Sequence, residues 1–156
     1  MTAATLDQAL AGAERVLLDT SALIAFHSRA EAGHPLARQL LARIEASDDP
    51  LRGCLSVVSA AELLVRPHRT GVEQFTHMNT FLTQFPNLTV LPMDVVVAAQ
   101  AAAIRSTTGL RLPDAIVVAS GLLSGCEAIV SNDEAWGRKL QPMSPAFRWV
   151  YLGAHA

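Results

Sequence analysis

Four acids in this chain are of the type, and in the places, that could do phosphoryl chemistry: Asp19, Glu62, Asp114 and Asp133. Each stands just after a short apolar run or in the first turn of the helix beside one. Carboxylates brought within a few ångströms of one another repel, so they either take up protons or hold a cation. The donor atoms are all oxygen, and no His or Cys occupies an equivalent place. That favours a hard ion, Mg²⁺ or Mn²⁺, over zinc. An ion so held lowers the pKa of its water and relieves charge on phosphoryl oxygens, which is the chemistry of phosphodiester hydrolysis.

Taken singly, each acid has a plainer explanation. Ser59-Ala-Ala-Glu62 fits a capping box in which Glu62 bonds back to its own helix start. Asp114, next to Pro113, suits a helix dipole. Ser131-Asn132-Asp133 reads as a cap and first turn, and Asp19 or Ser21 could cap the helix after the first strand. Capping contributes only about 1 kcal/mol per site and is equally available from Ser or Asn. Four acids converging on one sheet edge are better explained by a cation.

The elements that must position them follow from apolar periodicity and breakers. Leu6–Glu14 reads as a short leading helix, Arg15–Leu18 as the first strand, and Ser21–Phe26 as a short helix. Leu36, Leu40, Leu41 and Ile44 give His34–Ala46 a helical spacing that Ser47-Asp-Asp-Pro50 stops. Cys54–Val58 is the second strand; Ser59–Arg66 is a helix that Pro67 ends. Gly71–Phe85 is helical, Leu88–Leu91 is the third strand, and Asp94 caps a helix to Thr107 closed by Gly109. Pro113 opens a helix to Leu123, followed by a fourth strand at Ala128–Ser131, a short helix at Asp133–Leu140 and a fifth strand at Phe147–Leu152. Strands alternating with helices imply parallel pairing and right-handed crossovers in a layered α/β fold. In such sheets, sites gather beyond the carboxyl ends of the strands.

Composition sets the outer limits. The 156 residues are 51% hydrophobic and 17% charged, a composition for one globular domain spanning 1–156. The net charge of −2 advertises no nucleic-acid surface. Cys54 and Cys126 lack metal spacing and read as free thiols of a reducing compartment. No early basic cluster with an apolar core marks a signal, and no apolar run nears the roughly 20 residues of a spanning helix. The expectation is a soluble cytoplasmic protein without membrane contact.

The motifs resemble those of PIN-domain nucleases: Val16-Leu-Leu-Asp19-Thr-Ser21-Ala-Leu, Val58-Ser-Ala-Ala-Glu62-Leu, Leu112-Pro-Asp114-Ala-Ile-Val-Val-Ala119 and Ser131-Asn-Asp133. The resemblance runs from about Arg15 to Leu152, and at this size it is closest in kind to VapC-type toxins of type II toxin–antitoxin pairs. It implies a three-layer α/β/α PIN-like fold with a parallel sheet of about five strands in order 3-2-1-4-5. It implies an Mg²⁺- or Mn²⁺-dependent endoribonuclease with Asp19, Asp114 and Asp133 as principal ligands. Glu62 would join a second ion or orient the attacking water. Cleavage would leave 5′-phosphate and 3′-hydroxyl ends. Ser21 and Asn132 would orient the acids, while Ser131 departs from the usual Thr. A homodimer and a cognate antitoxin that inserts a segment toward the acids are implied as well. Residues 1–14 form an N-terminal extension with no assigned role.

Other features carry weaker signals. Arg66, Arg69 and Arg111 are the candidates for RNA phosphate contact, against ordinary solvated surface. His27, His34, His68, His77 and His155 show no ligand spacing and suit surface or loops. Trp136 and Trp149 suit the core rather than base stacking. Leu23, Leu36, Leu40, Leu41 and Ile44 suit either core packing or an apolar partner groove. Two rivals remain: a catalytically silent PIN-fold scaffold, and a haloacid-dehalogenase-like phosphatase, which needs an acid where Ser21 stands. A receiver domain lacks its paired acids and phosphoacceptor here.

Overall fold

The structure, a computed structural model, describes residues 4–143 and 147–156. Its elements are α1 (Leu6–Ala9), β1 (Arg15–Leu18), α2 (Thr20–His27), α3 (His34–Glu45), β2 (Arg52–Ser56), α4 (Val57–Thr70), α5 (Val72–Gln84) and β3 (Leu88–Leu91). They continue with α6 (Val95–Thr108), α7 (Leu112–Leu123), β4 (Ala128–Ser131), α8 (Ala135–Leu140) and β5 (Arg148–Tyr151). The five strands form one sheet in the order β3-β2-β1-β4-β5, every pair parallel. This is the order and the α/β/α layering that the motifs imply.

Register explains the layers. Leu17 pairs with Cys54 of β2 and Ile129 of β4, and all three belong to one apolar cluster with Val97, Ile104 and Val118 of α6 and α7. Val16 and Leu18 point the other way. With Val130 and Leu55 they pack on α2, α3, α4 and α5 through Leu23, Leu40, Ile44, Leu63 and Phe81. Because strand side chains alternate, each central strand is apolar on both faces and is buried by helices on both sides. Leu23, Leu40, Leu41 and Ile44 are therefore core, with Leu36 packed against it, and they form no outer apolar face. Gly121 of α7 lets that helix lie directly on β1, since a Cβ there would stand 2.7 Å from Leu17 Cδ2.

Several boundaries differ from the sequence reading. The leading helix is only Leu6–Ala9, with Thr5 and Gln8 in a capping box. The second strand ends at Ser56, and Ser56, not Ser59, caps α4 by accepting the Val58 N–H. Val57 and Val58 favour strand by type, but β1 ends at Leu18 and the pairing of β2 with β3 ends at Ser56↔Leu91, so no ladder remains for them. Pro67 does not end α4. It lies buried inside the helix, which continues to Thr70, where the Gly71 N–H bonds the Pro67 carbonyl. The last helix starts at Ala135, two residues later than the sequence suggests. Trp136 is buried and Trp149 packs beside the same cluster, as their types predict. No helix is long and apolar enough to cross a membrane among the described residues.

A carboxylate cluster at the switch point of the sheet

Asp19 ends β1 at the point where the chain turns into α2. Its backbone N–H bonds the Val130 carbonyl of β4, which fixes it between the two central strands. Its side chain caps α2 by accepting the Ser21 N–H. The same oxygen, Oδ2, accepts the hydroxyls of Ser21 at 2.7 Å and Ser131 at 3.2 Å. Ser131 in turn accepts the Asp133 N–H at 3.0 Å, and Ser21 accepts the Asn132 N–H at 2.8 Å. A short run of hydroxyls thus joins the carboxyl ends of β1 and β4 and brackets the buried carboxylate.

Asp19 is 5% exposed. Burial raises its pKa above the ordinary carboxylate value, partly offset by the hydrogen bonds from Ser21, Thr20 and Ser131. Among the described residues no Lys, Arg or His lies within ion-pair distance of it. A buried acid with neutral donors and no cationic partner is where a hard cation would be most favourable.

Glu62 reaches the same place from α4. Because that helix starts at Val57, Glu62 lies in its second turn, too far along to close a capping box. Its Oε2 instead accepts the Thr20 hydroxyl at 2.5 Å, next door to Asp19. Asp114 occupies the first turn of α7 and is held by Arg111 at 3.3 Å. Arg111 is 78% exposed along its side chain, so this pair is weak and easily exchanged for another anion. Asp133 is exposed, and its Oδ1 accepts the Ala135 N–H at the start of α8.

The structure therefore joins Asp19, Ser21, Ser131 and the backbone of Asp133 by hydrogen bonds, while Glu62 bonds to Thr20, the residue after Asp19, and Asp114 lies in the first turn of α7. Among the described residues no three His, Cys, Asp or Glu side chains stand close enough together to hold an ion as placed. The donor chemistry nonetheless fits a hard cation: every candidate atom is a carboxylate oxygen, and the buried one has no countercharge. Asn132 contributes through its backbone, while its side-chain amide lies over Gly33 at the start of α3, where a Cβ would stand 2.6 Å from Oδ1. Ser131, Thr20 and Ser59 were not singled out as partners from sequence. Ser131 and Thr20 each flank a named motif residue, and that adjacency was the available signal.

Arg66 and Arg69 are exposed near the end of α4. A cavity of about 690 Å³ lies elsewhere, between α2, α3 and α5, over Phe26, Phe81 and Phe85. None of the four acids lines it. His27 and His77 do, their ring centroids 6.3 Å apart. Burial, then His77, holds His27 down at about 4.

Comparison with known proteins bears on the fold and the family. No curated protein matches the chain. A toxin–antitoxin complex from Klebsiella pneumoniae superposes with a TM-score of 0.65 at 22% identity, covering 88% of this chain and 97% of the other. Mycobacterium tuberculosis VapC20, described as a sarcin-ricin loop cleaving toxin, gives 0.62 at 18% identity over 78% and 92% of the two chains. FitAcB from Neisseria gonorrhoeae gives 0.62 at 17% identity over 88% and 98%. At these identities the likeness establishes the fold. The profile of the PIN domain matches residues 16–139, from the first residues of β1 through the helix after Asp133. With four fifths of the sequence matched and the sheet order and strand-end acids in place, the chain belongs to the PIN domain family.

Proposed function

We propose that this chain is a divalent-metal-dependent endoribonuclease, a VapC-type toxin held in check by a cognate antitoxin. The observation that carries the reading is Asp19: a buried carboxylate at the sheet's switch point with no countercharge, joined to Asp133 through Ser131 and adjoining Glu62 through Thr20. The nuclease assignment draws on the family. The RNA and the antitoxin draw on structural relatives that are themselves toxins or toxin–antitoxin complexes.

Asp19, Asp114 and Asp133 would hold Mg²⁺ or Mn²⁺, with Glu62 joining a second ion or orienting water. The bound ion supplies Lewis acidity and an activated water. The chain's own contribution is placement. Ser21 and Ser131 fix Asp19 through one oxygen, Oδ2. Arg111 can leave Asp114 for a substrate phosphate, and Arg66 and Arg69 add positive charge near the Glu62 helix. Assembly as a homodimer in the cytoplasm completes the proposal.

The test is cleavage of a total RNA preparation by the purified chain with Mn²⁺ or Mg²⁺, repeated with EDTA and with Glu62→Gln. Cutting that needs the ion and is lost in Glu62→Gln is the expected result. Absence of cutting by the wild type under every ion would favour the scaffold reading.

A further inference from the structure

Thr20 follows Asp19 and is the first residue of α2. Its hydroxyl oxygen lies 2.5 Å from Glu62 Oε2 and 2.9 Å from the Ser59 hydroxyl. Glu62 offers no proton when ionised, and a hydroxyl has one to give. The Thr20 hydroxyl is the donor in both contacts, and the shorter one, to the carboxylate, takes its single proton. Ser59 is fully buried and stands one turn before Glu62 on α4. Thr20 thus stands between Ser59 and Glu62, with its proton directed to the carboxylate.

We propose that Thr20 is a positioning residue of the nuclease site, its hydroxyl holding the Glu62 carboxylate where α4 meets the start of α2. This rests on the nuclease reading above. An exposed Glu on a helix surface ordinarily samples several rotamers. Here Thr20 supplies its one hydrogen bond among the described residues, and that bond is in the range of charge-assisted O–H···O⁻ contacts. The arrangement also carries α2 and α4 across the same corner, so a purely structural tie between helices is the competing account.

The experiment compares Thr20→Val, which keeps the shape and loses the hydroxyl, with Thr20→Ser, which keeps the hydroxyl. Thr20→Val should lose about 10–100-fold in kcat, while Thr20→Ser stays within about threefold of wild type. The Mn²⁺ midpoint of the thermal shift should weaken in Thr20→Val and recover in Thr20→Ser, a readout independent of cleavage. In a Glu62→Gln background, Thr20→Val should not weaken the Mn²⁺ midpoint of the thermal shift any further. A structural tie predicts instead a lower melting temperature with unchanged cleavage per folded molecule, and that result overturns the proposal. Equal losses in the Val and Ser variants overturn it too. Should Thr20→Val fail to fold, Thr20→Ala serves in its place: cleavage within about threefold of wild type overturns the proposal, and a loss of about tenfold or more with a weaker Mn²⁺ midpoint supports it. If Glu62→Gln itself cuts normally, the site reading fails. If Glu62→Gln is inactive while Thr20→Val cuts as wild type, the positioning role alone fails.

Discussion

At the scale of single residues, Asp19 is a conflict held in place by its neighbours. Burial raises its pKa in the folded chain, so folding favours the protonated form. The stabilisation this gives is present at low pH and is lost as pH rises through the raised folded value. At neutral pH the ionised, uncompensated acid is a burden on the apo fold. Asp19→Asn removes the charge while an amide oxygen can still accept from Ser21 and Ser131. Apo Asp19→Asn should melt higher than wild type at pH 7, by an amount of order 1 kcal/mol or about 2–4 °C. The same variant should lose both cleavage and the Mn²⁺-induced rise in melting temperature. Scanning calorimetry with and without Mn²⁺ checks this; an Asn variant less stable than the apo wild type would contradict the account. The acid itself was legible in the sequence, since it follows an apolar run at a strand end. Its partners were only partly so. Ser21 was legible through the resemblance of its motif, but Ser131 and Thr20 depend on how β4 and α4 approach β1, which neighbouring residue types do not encode.

At the scale of elements, the boundaries that sequence missed were set by tertiary pairing. Val57 and Val58 leave the sheet because their ladder partners end, and this moves Glu62 from a cap to the site. The position of α7 follows the same logic. Gly121 rests on Leu17, and an added Cβ would lie 2.7 Å from Cδ2 and 3.1 Å from Cβ. Gly121→Ala gains about 1 kcal/mol in helix propensity but incurs overpacking of about 1–3 kcal/mol, because only the Leu17 methyl can swing aside. The net expectation is destabilisation seen as a lower urea midpoint with unchanged slope, together with slower cleavage as Asp114 is displaced with α7. The loss should be less than additive with Leu17→Ala, which opens the space. The cavity between α2, α3 and α5 offers a separate readout. His27 titrates near 4 in the fold against about 6.5 unfolded. Its neutral form is the one the fold favours, so stability is full above pH 6.5 and is lost as pH falls from 6.5 toward 4. The ceiling is ~3 kcal/mol from the shift, lowered by solvent screening because the ring is partly exposed. His27→Phe, in a cluster already built of Phe26 and Phe81, should flatten urea stability between pH 7 and 4.5; an unchanged slope would assign the acid sensitivity to other groups.

At the scale of the whole molecule, the two ends of the sheet do different work. Asp19 and Asp133 lie beyond the carboxyl ends of β1 and β4. The residues before β1, outside the matched family region, close the opposite end. Leu6, Leu10 and Ala13 are buried in the cluster that covers α3 and the sheet, which sequence periodicity in so short a helix could not reveal. Asp7 pairs with Arg43 of α3 at 3.1 Å, and Arg148 of β5 donates to the carbonyls of Ala9 and Ala11. His155 reaches back to the Ala4 carbonyl, so the segment joins the two ends of the described chain. Leu10, 1% exposed, is the centre of this clasp. Leu10→Ala should cost about 2–5 kcal/mol, a large share of the roughly 5–15 kcal/mol that holds a domain together. That corresponds to a fall in melting temperature of about 5–15 °C. Because the strands run between the clasp and the acids, kcat per folded molecule at 25 °C should stay near the wild-type value, and Mn²⁺ should still raise the melting temperature of the variant. Loss of cleavage in proportion greater than the loss of folded protein would mean that the clasp bears on the site through the sheet, and that the two ends are not independent.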